Sequence, residues 1–313
     1  MPSLKFLARR FSDRAFGTEF ERALARARGD SRRGFLFFWN RGLGDIALGL
    51  VPLFRRIRKD SPKARIEVVT REELRAPFEL AGVDAVHVIP GLEREARIDL
   101  ESAPPAGVEI DRYAAVFSYP DPNRWLVGHR RDHPPVLPWN PRWDVLVSRF
   151  PQVARDRIVI GAHVHSETAG YYGYVKDWPA ASWQSLIARF DEASGVQWLL
   201  FGRNAEFPLE AANVLDLRGQ TSFAELMSLI KNRCRVLVAP DSGVLTMAYY
   251  LDAPFEIDVI SLWADPRQGI LLQDCASPNA KLRHVALQSP QEDIRKLGVD
   301  VVDATLREAI RRS

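Results

Sequence analysis

The stretch Phe35-Leu36-Phe37-Phe38-Trp39-Asn40-Arg41-Gly42-Leu43-Gly44-Asp45-Ile46-Ala47 decides the fold. The apolar run Phe35–Trp39 has the length of a buried strand and is too short for a buried helix. Two glycines follow. Then Asp45–Arg58 places Ile46, Leu50, Leu53 and Ile57 on one helical face. Strand, glycine turn and helix make the first half of a βαβ unit. The pattern continues with a strand at Arg65–Val69, a helix at Glu72–Leu80 and a strand at Ala85–Val88. Each strand must be carried back by a crossover, so the alternation implies a parallel sheet. Eight of the 21 prolines fall between Pro104 and Pro141. That density predicts loops around a single strand, Tyr113–Phe117.

A linker is expected near Phe150–Asp156, after which the alternation restarts. Strands are predicted at Arg157–His163, Trp198–Phe201, Arg235–Ala239 and Glu256–Leu262. Helices are predicted at Ala180–Phe190, Phe223–Lys231, Ser242–Leu251, Glu292–Leu297 and Ala304–Arg312. The expected organisation is a basic arm (1–33), an N-terminal Rossmann-like acceptor domain (34–152) and a C-terminal Rossmann-like nucleotide-sugar domain (153–313). Two consecutive doubly wound α/β halves are expected to face a central cleft at the carboxyl ends of their strands.

The bulk properties bound the function. A length of 313 residues fits about two domains. With 46% hydrophobic and 27% charged residues, the chain has the composition of a soluble globular protein. Its apolar runs fall far short of the ~18 residues that a membrane span needs. The segment MPSLKFLARRFSDRAF lacks the apolar core and cleavage site of a secretory signal. Cys234 and Cys275 make neither a disulfide framework nor a zinc site. A cytoplasmic location is the default expectation. A net charge of +3 is too small to imply nucleic acid. The charge is uneven, however. Residues 1–33 hold nine Lys/Arg and four acids, so the arm carries +5 and the remainder −2. Leu4, Leu7, Ala8, Phe11, Ala15 and Phe16 recur near helical spacing. A basic amphipathic helix can lie on an anionic membrane, or it can dock on its own domain.

Three turns hold candidate chemistry. In the first, Gly42, Gly44 and Ala47 fit a G-x-G-x-x-G/A dinucleotide pattern. Asp45 argues against that reading, because a carboxylate at the helix start repels a pyrophosphate. Asp45 is then either a plain N-cap or a carboxylate presented at the cleft. The second turn is Ala239-Pro240-Asp241-Ser242-Gly243-Val244-Leu245-Thr246. Here Gly243 permits close backbone approach, and amides at the helix start can hold an anion. Capping by Asp241 or Ser242 is compatible with this. In the third, Ser166–Pro179, Lys176 precedes a helix-entry proline and is a candidate phosphate partner or a surface lysine. His163 and His165 share a strand face. They read as a polar strand end rather than a metal pair. No G-x-x-x-x-G-K-[ST], G-x-S-x-G, H-E-x-x-H or clear D-x-D motif is present.

Taken together, these residues resemble the bacterial heptosyltransferases of the ADP-heptose:lipopolysaccharide type. Gly44-Asp45 with Pro52 resembles the family's "GD…P" start. Lys176-Asp177-Trp178-Pro179 followed by Trp183 resembles "K-x-W-P…W". Phe201-Gly202-Arg203 with Glu206, and Leu217-Arg218-Gly219-Gln220-Thr221-Ser222, are similar to its nucleotide-side loop and "L-x-G-x-T-S" turn. Asp241-Ser242-Gly243 matches "D-S-G". The likeness runs from about Gly34 to Ala264. It implies a GT-B fold and an inverting glycosyltransferase that needs no metal or other cofactor. Its partners would be a nucleotide-diphosphate sugar donor and a glycolipid or glycan acceptor. The same resemblance makes Asp45 the general base and Lys176 the phosphate partner. It makes Glu206 the ribose-binding acid. Gly44, Thr168, Asp241, Ser242, Gly243, Val244 and Thr246 would be substrate contacts. One departure stands out: Thr246 occupies the place where the family usually has histidine.

Overall fold

The computed structural model describes Asp13, residues 16–30, Arg32, residues 34–166 and residues 175–312. The chain divides into two compact units. Unit 1 comprises Met1–Arg41 and Asp45–Pro135, and unit 2 comprises Gly42–Gly44 and Val136–Ser313.

Unit 1 is built on a four-stranded parallel sheet. Its strands are β1 (Gly34–Phe38), β2 (Arg65–Thr70), β3 (Ala85–Val88) and β4 (Tyr113–Phe117), in the order β3-β2-β1-β4. The apolar strand β1 takes an inner place because both its faces need cover. Phe35, Leu36, Phe37 and Phe38 are all buried. The helix expected from Asp45 is a π-helical turn, Ile46–Leu50, running into α2 (Val51–Asp60). The helix expected at 72–80 is a 3₁₀ turn, Glu72–Leu74, followed by α3 (Arg75–Leu80).

Part of the basic arm belongs to this core. Helix α1 (Glu19–Ala27) opens with a capping box, in which Thr18 and Glu21 satisfy each other's backbone N–H groups. Phe20, Ala23 and Leu24 are buried. The Phe20 ring stacks on Trp125, in the short helix α4 (Pro122–Trp125), at 5.6 Å. Arg56 of α2 pairs with Glu21 at 3.2 Å. Helix α1 is therefore docked on its own unit, while the apolar stripe expected at residues 4–16 is a separate segment. Phe16 is exposed, and Leu4, Leu7, Ala8, Phe11 and Ala15 lie outside the described residues.

Unit 2 carries a six-stranded parallel sheet. Its members are β6 (Ile158–His163), β7 (Val196–Phe201), β8 (Val214–Asp216), β9 (Cys234–Pro240), β11 (Ile257–Trp263) and β12 (Leu282–Gln288). They lie in the order β12-β11-β9-β6-β7-β8. Two-residue strands β5 (Leu137–Pro138) and β10 (Leu251–Asp252) pair separately. The helices are α5 (Ala180–Ile187), α6 (Phe223–Asn232), α7 (Gly243–Tyr249), α8 (Gly269–Gln273) and α9 (Val299–Arg311). The chain leaves β6 toward β7 and β8, then returns to place β9 on the other side of β6. The strand order thus reverses between β6 and β9, and such a switch point opens a crevice at the carboxyl ends of those strands.

The division between units falls at Pro135/Val136, earlier than the expected 152/153. The intervening segment is held by unit 2. Leu137 donates its N–H to Tyr250 O at 2.9 Å, and Trp143 meets Phe223 edge-on. Asp144 pairs with Lys231 and Arg149 with Glu225, both at 2.8 Å. The proline-rich composition concealed these contacts. Four strands have no counterpart in the sequence pattern: β5 and β10, which are only two residues long, and β8 and β12, which are half-buried sheet edges. The helix expected at 292–297 is instead a pair of 3₁₀ turns, Pro290–Glu292 and Ile294–Lys296. Gln291 and Glu292 both take positive φ, which a regular helix does not allow.

Candidate functional site

In unit 2 the carboxyl end of β9 delivers Asp241 into the switch point. Asp241 is almost wholly buried. Its backbone N–H donates to Leu262 O at 3.3 Å, which ties it to the neighbouring strand β11. Its Oδ2 lies 2.9 Å from Lys176 Nζ. The other carboxylate oxygen is hemmed in by the start of α8. A Cβ added at Gly269 would run into Asp241 Oδ1 and lie 2.8 Å from the Trp263 ring, and Gly269 has φ +50. Only glycine fits there without strain.

Ser242 caps α7 by accepting the Leu245 N–H at 3.2 Å. Thr246 is buried, and its hydroxyl donates to Ser242 O at 3.0 Å. Val244 is buried as well. Gly243 receives the Gly42–Gly44 turn at close range. A Cβ there would lie 2.7 Å from Leu43 Cβ and 3.0 Å from Gly44 N. A Cβ at Gly44 would in turn meet Gly243 Cα and Thr246 Oγ1, each at 3.4 Å. The glycine turn read in the sequence as a dinucleotide pattern is thus engaged by the start of α7.

The end of β6 adds two histidines. His163 is buried, and its Nδ1 has no hydrogen-bond partner among the described residues. Burial, with help from neighbouring His165, holds its imidazole down at about 4, so it is neutral. His165 reaches two carboxylates: Nδ1 is 2.9 Å from Asp177 Oδ2, and Nε2 is 3.2 Å from Glu206 Oε1. Asp177 Oδ1 accepts the Ser166 N–H at 2.6 Å. Burial pushes the Asp177 carboxyl up, against the pull of that bond and of His165.

In unit 1, Asp45 begins the π-helical turn and makes no side-chain capping bond to it. The plain N-cap reading therefore fails. The carboxylate acts instead in the field of Arg130. Burial pulls the Arg130 guanidinium down, and the charge of Asp45 opposes that shift. Arg130 also donates to Asn123 Oδ1 at 3.0 Å. A π turn costs helix geometry and is often found at functional positions.

Of the residues singled out in the sequence, Lys176, Asp241, Ser242, Gly243, Val244, Thr246 and Gly44 come together in unit 2. Glu206 joins His165 and Asp177 at the end of β6. Asp45 belongs to unit 1, and Thr168 lies outside the described residues. Sequence reasoning missed Gly269 and Arg130. Gly269 is one glycine among 19, and only its contact with Asp241 marks it. Arg130 stands in a charged run with no periodicity. The pairing of His165 with Asp177 and Glu206 was equally invisible, because the three approach only through folding.

These features define a fold of the GT-B type, with doubly wound parallel sheets and a charged switch-point site in unit 2. More particularly, residues 152–271 match the model of glycosyltransferase family 9 (heptosyltransferase), in agreement with the resemblance seen in the sequence. No curated protein matches the chain. Among solved structures, it resembles the ADP-heptose lps heptosyltransferase II of E. coli, with a TM-score of 0.57 at 18% identity over 89% of this chain and 99% of that one. It resembles a family 9 glycosyl transferase from Veillonella parvula DSM 2008, with a TM-score of 0.58 at 13% identity over 90% and 98%. It also resembles the E. coli heptosyltransferase WaaC with ADP, with a TM-score of 0.52 at 14% identity over 88% and 99%. Among the described residues, no helix is long and apolar enough to cross a membrane.

Proposed function

We propose that the chain moves a sugar, a heptose, from a nucleotide-diphosphate sugar to a hydroxyl of a glycolipid or glycan, with inversion and without a metal ion. The observation that carries this reading is the Lys176–Asp241 pair buried at the β6/β9 switch point. A lysine held there is a cation for a diphosphate, and Asp241 fixes its ammonium in place. ADP is the favoured nucleotide, since WaaC, similar in fold, was solved with ADP. Glu206 accepts hydrogen bonds from the ribose hydroxyls. Ser242, Gly243, Val244 and Thr246 surround the donor's sugar and phosphates, with Thr168 and Gly44 as further contacts.

Asp45 acts as the general base. It removes the acceptor hydroxyl proton as that oxygen attacks the anomeric carbon. The carbon–oxygen bond to the diphosphate breaks, and Lys176 stabilises the departing charge. One displacement with no enzyme nucleophile inverts the anomeric centre. The basic residues of 1–16, ahead of docked α1, place the enzyme at an anionic membrane where a glycolipid acceptor resides. A thermal-shift screen of nucleotide sugars tests the donor. A ligand at ~100 times its dissociation constant stabilises by about 2.7 kcal/mol. Stabilisation by ADP-heptose and not by other nucleotide sugars is expected, and no stabilisation by any of them sinks the reading.

A second reading is a sugar-nucleotide-binding protein without transfer activity. Thr246 favours it, because its hydroxyl is committed to Ser242 O and cannot supply positive charge. Donor binding without donor hydrolysis or transfer would select this second reading.

A further inference from the structure

Strand β6 runs through the core and ends on His163. Alternation along the strand sets its two faces. Ile160, Ala162 and Val164 pack into the core with Trp178, Trp183 and Leu186. His163 shares the other face with Gly161, where an added Cβ would lie 2.8 Å from the Phe201 ring and 2.9 Å from Cys234 Sγ. An apolar side chain suits such surroundings. The residue present is a histidine, more than nine-tenths buried, and its Nδ1 has no hydrogen-bond partner among the described residues. An orphaned polar atom of this kind lowers stability, so its place in the fold must supply the reason for it.

That place is the switch point of unit 2. On one side His163 pairs in register with Phe201 of β7, the strand that leads to Glu206. On the other side Ala162 pairs with Val238 of β9, which sets His163 level with Ala239, just before Asp241. Burial keeps the ring neutral, holding it down at about 4. A neutral imidazole has one N–H and one lone pair. Buried N–H groups are left orphaned more rarely than buried acceptors, so the lone pair belongs on Nδ1 and the proton on Nε2.

We propose that His163 is a further donor-binding residue of the unit 2 site, its Nε2–H donating to an oxygen of the donor's diphosphate. This rests on the nucleotide-sugar reading given above. Ionised phosphate oxygens accept and do not donate, so they match an N–H. Lys176 is already the cation of the crevice and is held by Asp241. A second cation there would be repelled, whereas a neutral ring adds a hydrogen bond without charge. Thr246 does not fill this part, because its hydroxyl donates to Ser242 O.

The test uses the full chain at about pH 7.5, where the terminal phosphate of ADP is ionised. His163→Leu removes both nitrogens at nearly constant volume. Its melting temperature should hold or rise, since an unpaired buried polar atom is lost. Its ADP affinity by calorimetry should fall about 10- to 100-fold, the loss of one hydrogen bond to a charged group. His163→Gln carries an amide N–H near the position of Nε2 and should recover part of that loss. Adenosine has no phosphate and should bind all three proteins alike. The second arm is NMR of wild type labelled with ¹⁵N at histidine, with His163→Gln providing the assignment. The unliganded protein should show the Nε2–H tautomer, and ADP should shift the Nε2 resonance where adenosine does not. Wild-type ADP affinity in His163→Leu, or a His163 resonance unmoved by ADP, overturns the proposal. So does an equal loss for ADP and adenosine. If His163→Leu does not fold, the NMR arm decides by itself. Failure of wild type to bind ADP or UDP overturns the nucleotide reading, an outcome distinct from ADP binding in which His163 takes no part.

Discussion

Lys176 Nζ lies 2.9 Å from Asp241 Oδ2, and the two side chains are only 15% and 7% exposed. A buried pair of this kind is costly to break from one side, because the survivor is left as an uncompensated charge. Lys176→Met should lower unfolding free energy by about 3–5 kcal/mol. The double variant Lys176→Met with Asp241→Asn should recover most of that loss. Both should lose ADP binding. Urea denaturation and calorimetry on the same samples separate the two effects. Full ADP affinity in the double variant would remove the pair from the donor site.

Asp45 is the second test. Its side chain makes no capping bond to the helix it opens. Asp45→Asn should therefore remove no helix cap, and any fall in melting temperature reports the lost attraction to Arg130. The substitution removes the proton acceptor at constant size, so transfer should slow by about 10²–10⁴-fold. That is equivalent to ~3–5 kcal/mol of barrier. ADP affinity should be preserved. Unchanged turnover would leave the protein without its proposed base.

Gly269 gives a third. Gly269→Ala forces a methyl into Asp241 Oδ1 and the Trp263 ring at a positive φ. Overpacking of this order costs about 1–3 kcal/mol. Asp241 must shift, so ADP affinity should fall even though Gly269 itself carries no functional group. A stability loss with wild-type affinity would show that Asp241 tolerates displacement.

Acid stability follows from two neutral histidines. Burial holds both His163 and His284 at about 4. Trp263 Nε1–H donates to Ser261 Oγ at 2.6 Å, leaving the Ser261 hydroxyl proton to donate to His284 Nε2, also at 2.6 Å. That relay needs an unprotonated Nε2. In the unfolded chain a histidine titrates near 6.5. Between about pH 6.5 and 4 the unfolded state binds more protons, so stability falls as pH falls. The loss is up to about 3 kcal/mol for each group. Denaturation midpoints across that window should drop for wild type and drop less for His284→Gln. Parallel curves would assign the acid sensitivity elsewhere.

The arm separates into two roles. Phe20 is fully buried, so Phe20→Ala should cost about 3–5 kcal/mol. Deleting residues 2–12 spares α1 and the Asp13–Arg124 pair and should leave stability near wild type. It should abolish sedimentation with anionic vesicles, as should about 1 M salt, where screening shortens to ~3 Å. Equal vesicle binding with and without the segment would end the membrane role.

The sequence alone determined the alternation of strand and helix, because burial on one face leaves a period that can be read without coordinates. It therefore yielded two doubly wound halves and the turns that carry Asp45, Lys176 and Asp241. Edge strands β8 and β12 escaped, since a half-buried edge has no strong pattern. The domain division was misplaced because Trp143, Asp144 and Arg149 find Phe223, Lys231 and Glu225 far along the chain. Tertiary structure alone decided which side chains meet. It closed the Lys176–Asp241 pair, set His165 between Asp177 and Glu206, and showed Asp45 making no cap. Such contacts join residues whose separation in sequence carries no period, and only the folded path of the backbone brings them within hydrogen-bond reach.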